Sequence, residues 1–185
     1  MTVRSSSCLR AIAGVLGLAA VTAPAAFAEN PGDFLVSLNS TWRYLDDGSD
    51  QGTPWRATAF NDSGWAQGPA ELGYGDGGEA TVVNCGPSAP TCNAGNFITT
   101  YFRKTFTVSD AGSIAALELK SLRDDGALVY LNGTQVVSTN MPAAPISHTT
   151  PASTAVSGSG ETAFNTFAIA PAGLVNGTNV LAVEV

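Results

Sequence analysis

The chain has 185 residues, with 8 Lys and Arg against 15 Asp and Glu and a single His, a formal net charge of −7 at pH 7. An acidic surface repels phosphate backbones and anionic lipid, so nucleic acid and charged membrane are poor partners. One His and three Cys leave too few ligands for a histidine-based metal centre in this stretch.

Residues 1–28 read as a secretory signal. Arg4 and Arg10 give a positive start, residues 11–26 form an apolar run without charge, and Ala26-Phe27-Ala28 fits a small-x-small cleavage site. Pro24 and the shortness of the run argue against an anchor, which needs about 20 apolar residues. No second run of that kind follows, so no membrane span is expected once the signal is removed. The expected location is bacterial and outside the cytoplasm: secreted, periplasmic or at the cell surface. The domain proper is then 29–185. Without Arg4 and Arg10, six basic residues oppose fifteen acidic ones, a net charge of −9. Cys85 and Cys92 remain in "NCGPSAPTCN", and in an oxidising compartment they are expected to form a disulfide.

Downstream of the signal no long stretch repeats apolar residues at helical spacing. Short alternating runs punctuated by Gly, Pro, Asn and Asp predict an all-β, antiparallel sandwich or barrel. The predicted strands are 41–45, 98–108, 114–122, 127–131, 134–138, 162–170 and 179–185. Within 98–108, Phe102, Lys104 and Phe106 share one face and Tyr101, Arg103 and Thr105 the other. Leu117 and Leu119 are expected to face the core. Asn132-Gly133 between two such runs predicts a two-residue hairpin, because both residues tolerate positive φ.

Two segments lack strand patterning. Residues 46–97 are rich in Gly and Asp yet carry Trp55, Phe60, Trp65 and Tyr74. Aromatics at that density predict an ordered excursion covering one end of the sandwich, with a helical turn near 61–65 capped by Asn61 or Asp62. Residues 139–161 form a second long loop containing His148, read as an isolated surface residue. Loops of this length are often functional. The last run, "NVLAVEV", ends inside a strand, which is read as a domain truncated at its C-terminal end.

The runs "WRYLDDGSDQGTPWRATAFNDSGWAQGPAELGYGDGGEAT", "TTYFRKTFTV", "LRDDGALVYLNGTQVVSTNMP" and "GTNVLAVEV" together resemble a galactose-binding-domain-like, jelly-roll β-sandwich of large secreted bacterial proteins. In such proteins the module sits beside metallophosphoesterase, lamin-tail or other extracellular modules. The resemblance covers nearly all of 40–185 and implies binding of carbohydrate or a cell-surface glycan, with the other modules of the parent chain as neighbours. The Cys85–Cys92 loop is not a feature of the group.

No motif for nucleophilic, zinc-dependent or phosphate-cradling chemistry occurs. Paired carboxylates can hydrolyse glycosides, but nothing in the spacing of Glu71, Asp76, Glu79, Asp124 and Asp125 selects a pair. The expectation is a non-catalytic, carbohydrate- or ligand-binding accessory module, hence not an enzyme. The alternatives are the N-terminal portion of a secreted metallophosphoesterase-like hydrolase with catalysis elsewhere, and a structural spacer or protein-interaction domain. Sugar sites pair an aromatic face with a few polar groups, which makes Tyr74, Asp76, Glu79 and Trp55 the candidate ligand-binding residues. Acid-rich turns can also hold calcium. "DDGSD" and the Asp124-Asp125-Gly126 corner offer oxygens, and Asp124 and Asp125 are the candidate calcium ligands by analogy with adhesin-type sugar-binding sandwiches. Asp before Gly equally suits a turn in which the side chain bonds its own backbone.

Overall fold

The computed structural model of the chain describes residues 6–14, 34–75, 77–92 and 94–185. Its strands are β1 (Ser6–Gly14), β2 (Thr41–Leu45), β3 (Ala66–Pro69), β4 (Leu72–Gly73), β5 (Thr81–Val82), β6 (Tyr101–Val108), β7 (Ala116–Arg123), β8 (Ala127–Leu131), β9 (Thr134–Thr139), β10 (Asn165–Ile169) and β11 (Gly177–Glu184). They form a five-stranded sheet in the order β10-β7-β1-β4-β5 and a six-stranded sheet in the order β3-β2-β6-β11-β8-β9. Every pairing is antiparallel except β4 with β5. The fold is therefore an all-β, antiparallel sandwich, as the alternating runs predict. No helix of the described residues is long and apolar enough to cross a membrane.

Side-chain alternation sets the layers. In β6, Phe102 and Phe106 join the core between the sheets, while Tyr101 belongs to a separate cluster on the far face. The same split holds for Val129 and Leu131 against Leu128 and Tyr130 in β8, and for Leu181 and Val183 against Ala182 in β11. Leu119 is fully buried in the central core, and Leu117 packs at its margin. The six-stranded sheet is thus buried on both faces, and its central strands read as nearly continuous apolar runs.

The hairpin forms as its sequence requires. Asn132 and Gly133 have φ of 50° and 88°, the two positive values of a type I′ turn. The Asn132 amide also donates to Gly173 O and Asn179 Oδ1, both at 2.8 Å, and its Oδ1 accepts the Val180 N–H. Asn179 is fully buried and bonds Val175 and Gly177 in turn. One Asn pair therefore satisfies the backbone where the hairpin meets the connection into β11.

Three findings bear on what the sequence predicts. The segment 46–97 contains the short strands β3 to β5 and a 3-10 turn over Pro54–Arg56. Its first part, 46–65, covers the outer face of the six-stranded sheet, β4 and β5 join the other sheet, and Tyr74 with 96–97 reaches one end of the sandwich. At 61–65 the expected turn is present as a single turn, with Ser63 N–H on Asn61 Oδ1 and Trp65 N–H on Asp62 O. The stretch read as a secretory signal supplies β1, which pairs with β7 over eight positions and with β4 over two. The predicted cleavage site, 26–28, lies outside the described residues. In a chain trimmed there, β7 and β4 would each present an open edge.

Candidate functional site

The excursion 46–65 is held down by a second aromatic cluster. Trp55 is fully buried. Its ring lies edge-on to Tyr101 at 4.8 Å and to Tyr130 at 5.8 Å, and Trp65 lies 6.4 Å away. Its indole N–H donates to Gly52 O at 3.1 Å. Arg103, in the middle of β6, is 1% exposed. It pairs with Asp62 through Nε at 2.8 Å, donates to the carbonyls of Trp55 and Ala57, and sits over the Phe60 ring. These three bonds all end on oxygens of the excursion, the pairing that a buried charge requires.

This placement corrects one candidate. Trp55 offers no ring face to a ligand, because other aromatic rings already occupy its surroundings. Carboxylates of the same excursion are engaged locally and at long range: Asp47 accepts the Ser49 N–H and hydroxyl and Asp50 the Gly52 N–H within their own turns, and Asp46 accepts the N–H of distant Asn84. Within the "DDGSD" run, Asp47 and Asp50 are turn chemistry.

Tyr74, Asp124 and Asp125 do converge. They line a cleft of about 120 Å³ at the end of the sandwich where β7 turns into β8. One wall is 96–99, which leads into β6. The opposite wall is the loop after β9, through Met141, Ile146, Ser147 and 150–152, and the floor includes Glu184 and Val185. Tyr74 is only 6% exposed, so it forms a wall and not an open stacking platform. Glu79 is not among the lining residues, and Asp76 lies outside the described residues.

The acid pair builds this cleft. Asp125 Oδ1 accepts the Val156 N–H at 2.6 Å, and its carbonyl accepts from Arg123 Nη1 at 2.6 Å and Asn140 Nδ2 at 3.1 Å. Asn140 also donates to Thr154 O and accepts the Thr154 hydroxyl. The loop thus leaves β9 at Asn140 and is tied back to the β7–β8 corner. Gly126 permits the close approach: a Cβ there would lie 2.6 Å from Met141 Sδ and 2.9 Å from Asn140 O. The glycine of Asp-Asp-Gly is required by packing against the loop. Asp124 is fully buried.

The Asp125 carboxylate is engaged by one backbone N–H and its carbonyl by two side chains. Among the described residues no three His, Cys, Asp or Glu side chains are placed to hold a metal ion.

The disulfide Cys85–Cys92 is formed, with Cα atoms 5.6 Å apart. Its loop supports the 96–99 wall: Phe97 N–H donates to Cys85 O at 2.9 Å, and Asn96 Nδ2 to Cys92 O at 3.1 Å. A bare Gly48 accommodates the Phe97 ring from the other side. His148, expected to stand alone, is partly buried. Its Nδ1 lies 3.4 Å from Asp50 Oδ2, and its carbonyl accepts the Thr99 hydroxyl at 2.8 Å.

Sequence reading missed Glu184. Its Oε1 accepts the Tyr130 hydroxyl at 2.6 Å and Arg56 Nη2 at 3.2 Å, and Arg56 stacks over the Tyr130 ring at 4.1 Å. Burial, then the bond to Glu184 and its charge, push the Tyr130 hydroxyl well above its ordinary range. An acid at an outward position next to the last apolar residues of "NVLAVEV" was the available signal.

No protein-family model matches the chain, and no curated protein does. Solved structures show distant similarity. A β-glycosidase from Bacteroides vulgatus is 19% identical over 79% of this chain and 16% of its own, with a TM-score of 0.42. A Bifidobacterium dentium β-glucuronidase complexed with coumarin-3-O-glucuronide is 16% identical over 80% and 19%, with a TM-score of 0.47. An uncultured Clostridium sp. β-glucuronidase is 18% identical over 80% and 21%, with a TM-score of 0.46. The chain spans about a fifth or less of each of these proteins. None of the three is a metallophosphoesterase, and similarity at this level carries no argument about activity.

Proposed function

We propose that this chain is an exported, non-catalytic, galactose-binding-like jelly-roll module of a larger secreted protein, and that it binds carbohydrate in the cleft between 96–99 and the loop after β9. The observation that carries the reading is the composition of that cleft. Apolar surface from Tyr74, Phe97, Met141 and Ile146 faces Thr99, Ser147, Thr150 and carboxylates across one small opening. Sugar rings need both kinds of surface, apolar for the C–H face and polar for the hydroxyls. The cleft is well below the roughly 300–1,000 Å³ of sites that engulf drug-sized ligands, so it suits one terminal ring and not the length of a chain.

Two acids of the cleft are tied to the scaffold through one oxygen each: Asp125 holds Val156, and Glu184 holds Tyr130 and Arg56. The resemblance of residues 40–185 to extracellular sugar-binding sandwiches and the signal-like N-terminus point the same way.

The test is a glycan-array screen of the exported protein beside a Met141→Trp variant, whose indole would fill the cleft. Binding by the parent and its loss in the variant, with unchanged circular dichroism, is the expected result. No binding by the parent, or equal binding by the variant, would overturn the proposal.

A further inference from the structure

Glu184 is 9% exposed, yet it lines the cleft. Its bonds from Tyr130 and Arg56 both go to Oε1. Among the described residues Oε2 has no hydrogen-bond partner. Two donors therefore fix the orientation of a carboxylate whose second oxygen remains available as an acceptor. Asp124 and Asp125 also line the cleft, and Asp50 lies against His148 of the loop after β9. The nearby cations are already committed. Arg56 pairs with Glu184, Arg123 donates to the Asp125 carbonyl and to Thr139, and among the described residues no Lys or Arg lines the cleft.

We infer that the cleft is selective by charge: Glu184 accepts hydrogen bonds from a neutral or, preferentially, an amine-bearing sugar ring, and rings that carry a carboxylate are rejected. The inference rests on the sugar-binding reading above. Its physics is that of a pre-oriented, mostly desolvated acceptor. An ammonium or hydroxyl can donate to Oε2, and a bond involving the charged carboxylate is stronger than one between neutral groups. A uronate carboxylate has no proton to donate at neutral pH. It would also bring a like charge into a cleft of restricted solvent access, where screening is weak.

The experiment is calorimetric titration of the full chain with a glucosamine trimer, a glucose trimer and a galacturonate trimer, in neutral buffer at low and at high salt, repeated with Glu184→Gln. The glucosamine trimer should bind tightest, and the galacturonate trimer should be weaker by about tenfold, the equivalent of one charge-assisted hydrogen bond. High salt should narrow that gap, and Glu184→Gln should narrow the difference between amine and neutral rings. Gln can still accept from Tyr130, and the unsubstituted chain alone decides the order of affinities should the variant fold poorly. Galacturonate binding as tightly as glucosamine would overturn the charge selectivity and leave sugar binding standing. No binding by any of the three would overturn both.

Discussion

The excursion 46–65 and the loop 139–156 are both long, irregular and rich in turn residues, yet they behave differently. The first is a second core. It buries Trp55 and Trp65 against Tyr101 and Tyr130, and Arg103 fastens it to the sheet. The second carries only Met141, Ile146 and Val156 as sizeable apolar side chains, and is attached mainly through Asn140, Asp125 and Thr154. Large aromatics and a paired buried cation close one loop completely. Small side chains and Asx-type bonds hold the other in place but leave a gap beneath it. The proposed ligand site is under the loop that packs less well.

This contrast can be broken from either side. Trp55→Ala should be the most damaging change, lowering stability by about 3–5 kcal/mol in denaturant titration, because it empties the centre of the aromatic cluster. A loss below about 1 kcal/mol would mean that the excursion is not a core. Cys85→Ser with Cys92→Ser should cost about 2–3 kcal/mol, and amide exchange should accelerate at 96–98 but not at 55–65. Gly126→Ala should cost about 1–3 kcal/mol through overpacking against Met141 and Asn140. It should abolish glycan binding at protein concentrations where the fold persists.

The smallest effect is alkaline. The Tyr130 and Tyr101 hydroxyls have raised pKa values, chiefly from burial. The folded protein therefore holds those protons more tightly than the unfolded chain. Their contribution is complete below the ordinary tyrosine value of 10.0 and is lost as pH rises above it. The melting temperature should fall in that window, by no more than about 1.4 kcal/mol of stability per pH unit for each proton, and Tyr130→Phe should flatten the decline. A decline that is unchanged in Tyr130→Phe would remove Tyr130 from the explanation.

Much of the scaffold was legible in the residues. The β8–β9 hairpin follows from Asn132-Gly133, the two faces of β6 from simple alternation, and the disulfide from two cysteines in one short Pro-rich loop. Strands β3 to β5 were not legible, since two to four residues beside Gly and Pro carry no period. Aromatic density in 46–65 signalled order, but which surface it covers depends on Arg103 of β6, 41 residues from Asp62. The candidate site was half legible. Asp124, Asp125 and Tyr74 were chosen by local composition and do meet. Glu184 was missed because its orientation depends on Arg56, 128 residues away.

The central claim is that the gap beneath the 139–156 loop is where a sugar binds. The most direct measurement is hydrogen–deuterium exchange of the full chain with and without the glucosamine trimer. Protection at 96–99, 124–126 and 141–152, with none at 55–65, is the predicted result. A bound trimer that leaves those three segments unprotected, or protects the aromatic cluster instead, would contradict it.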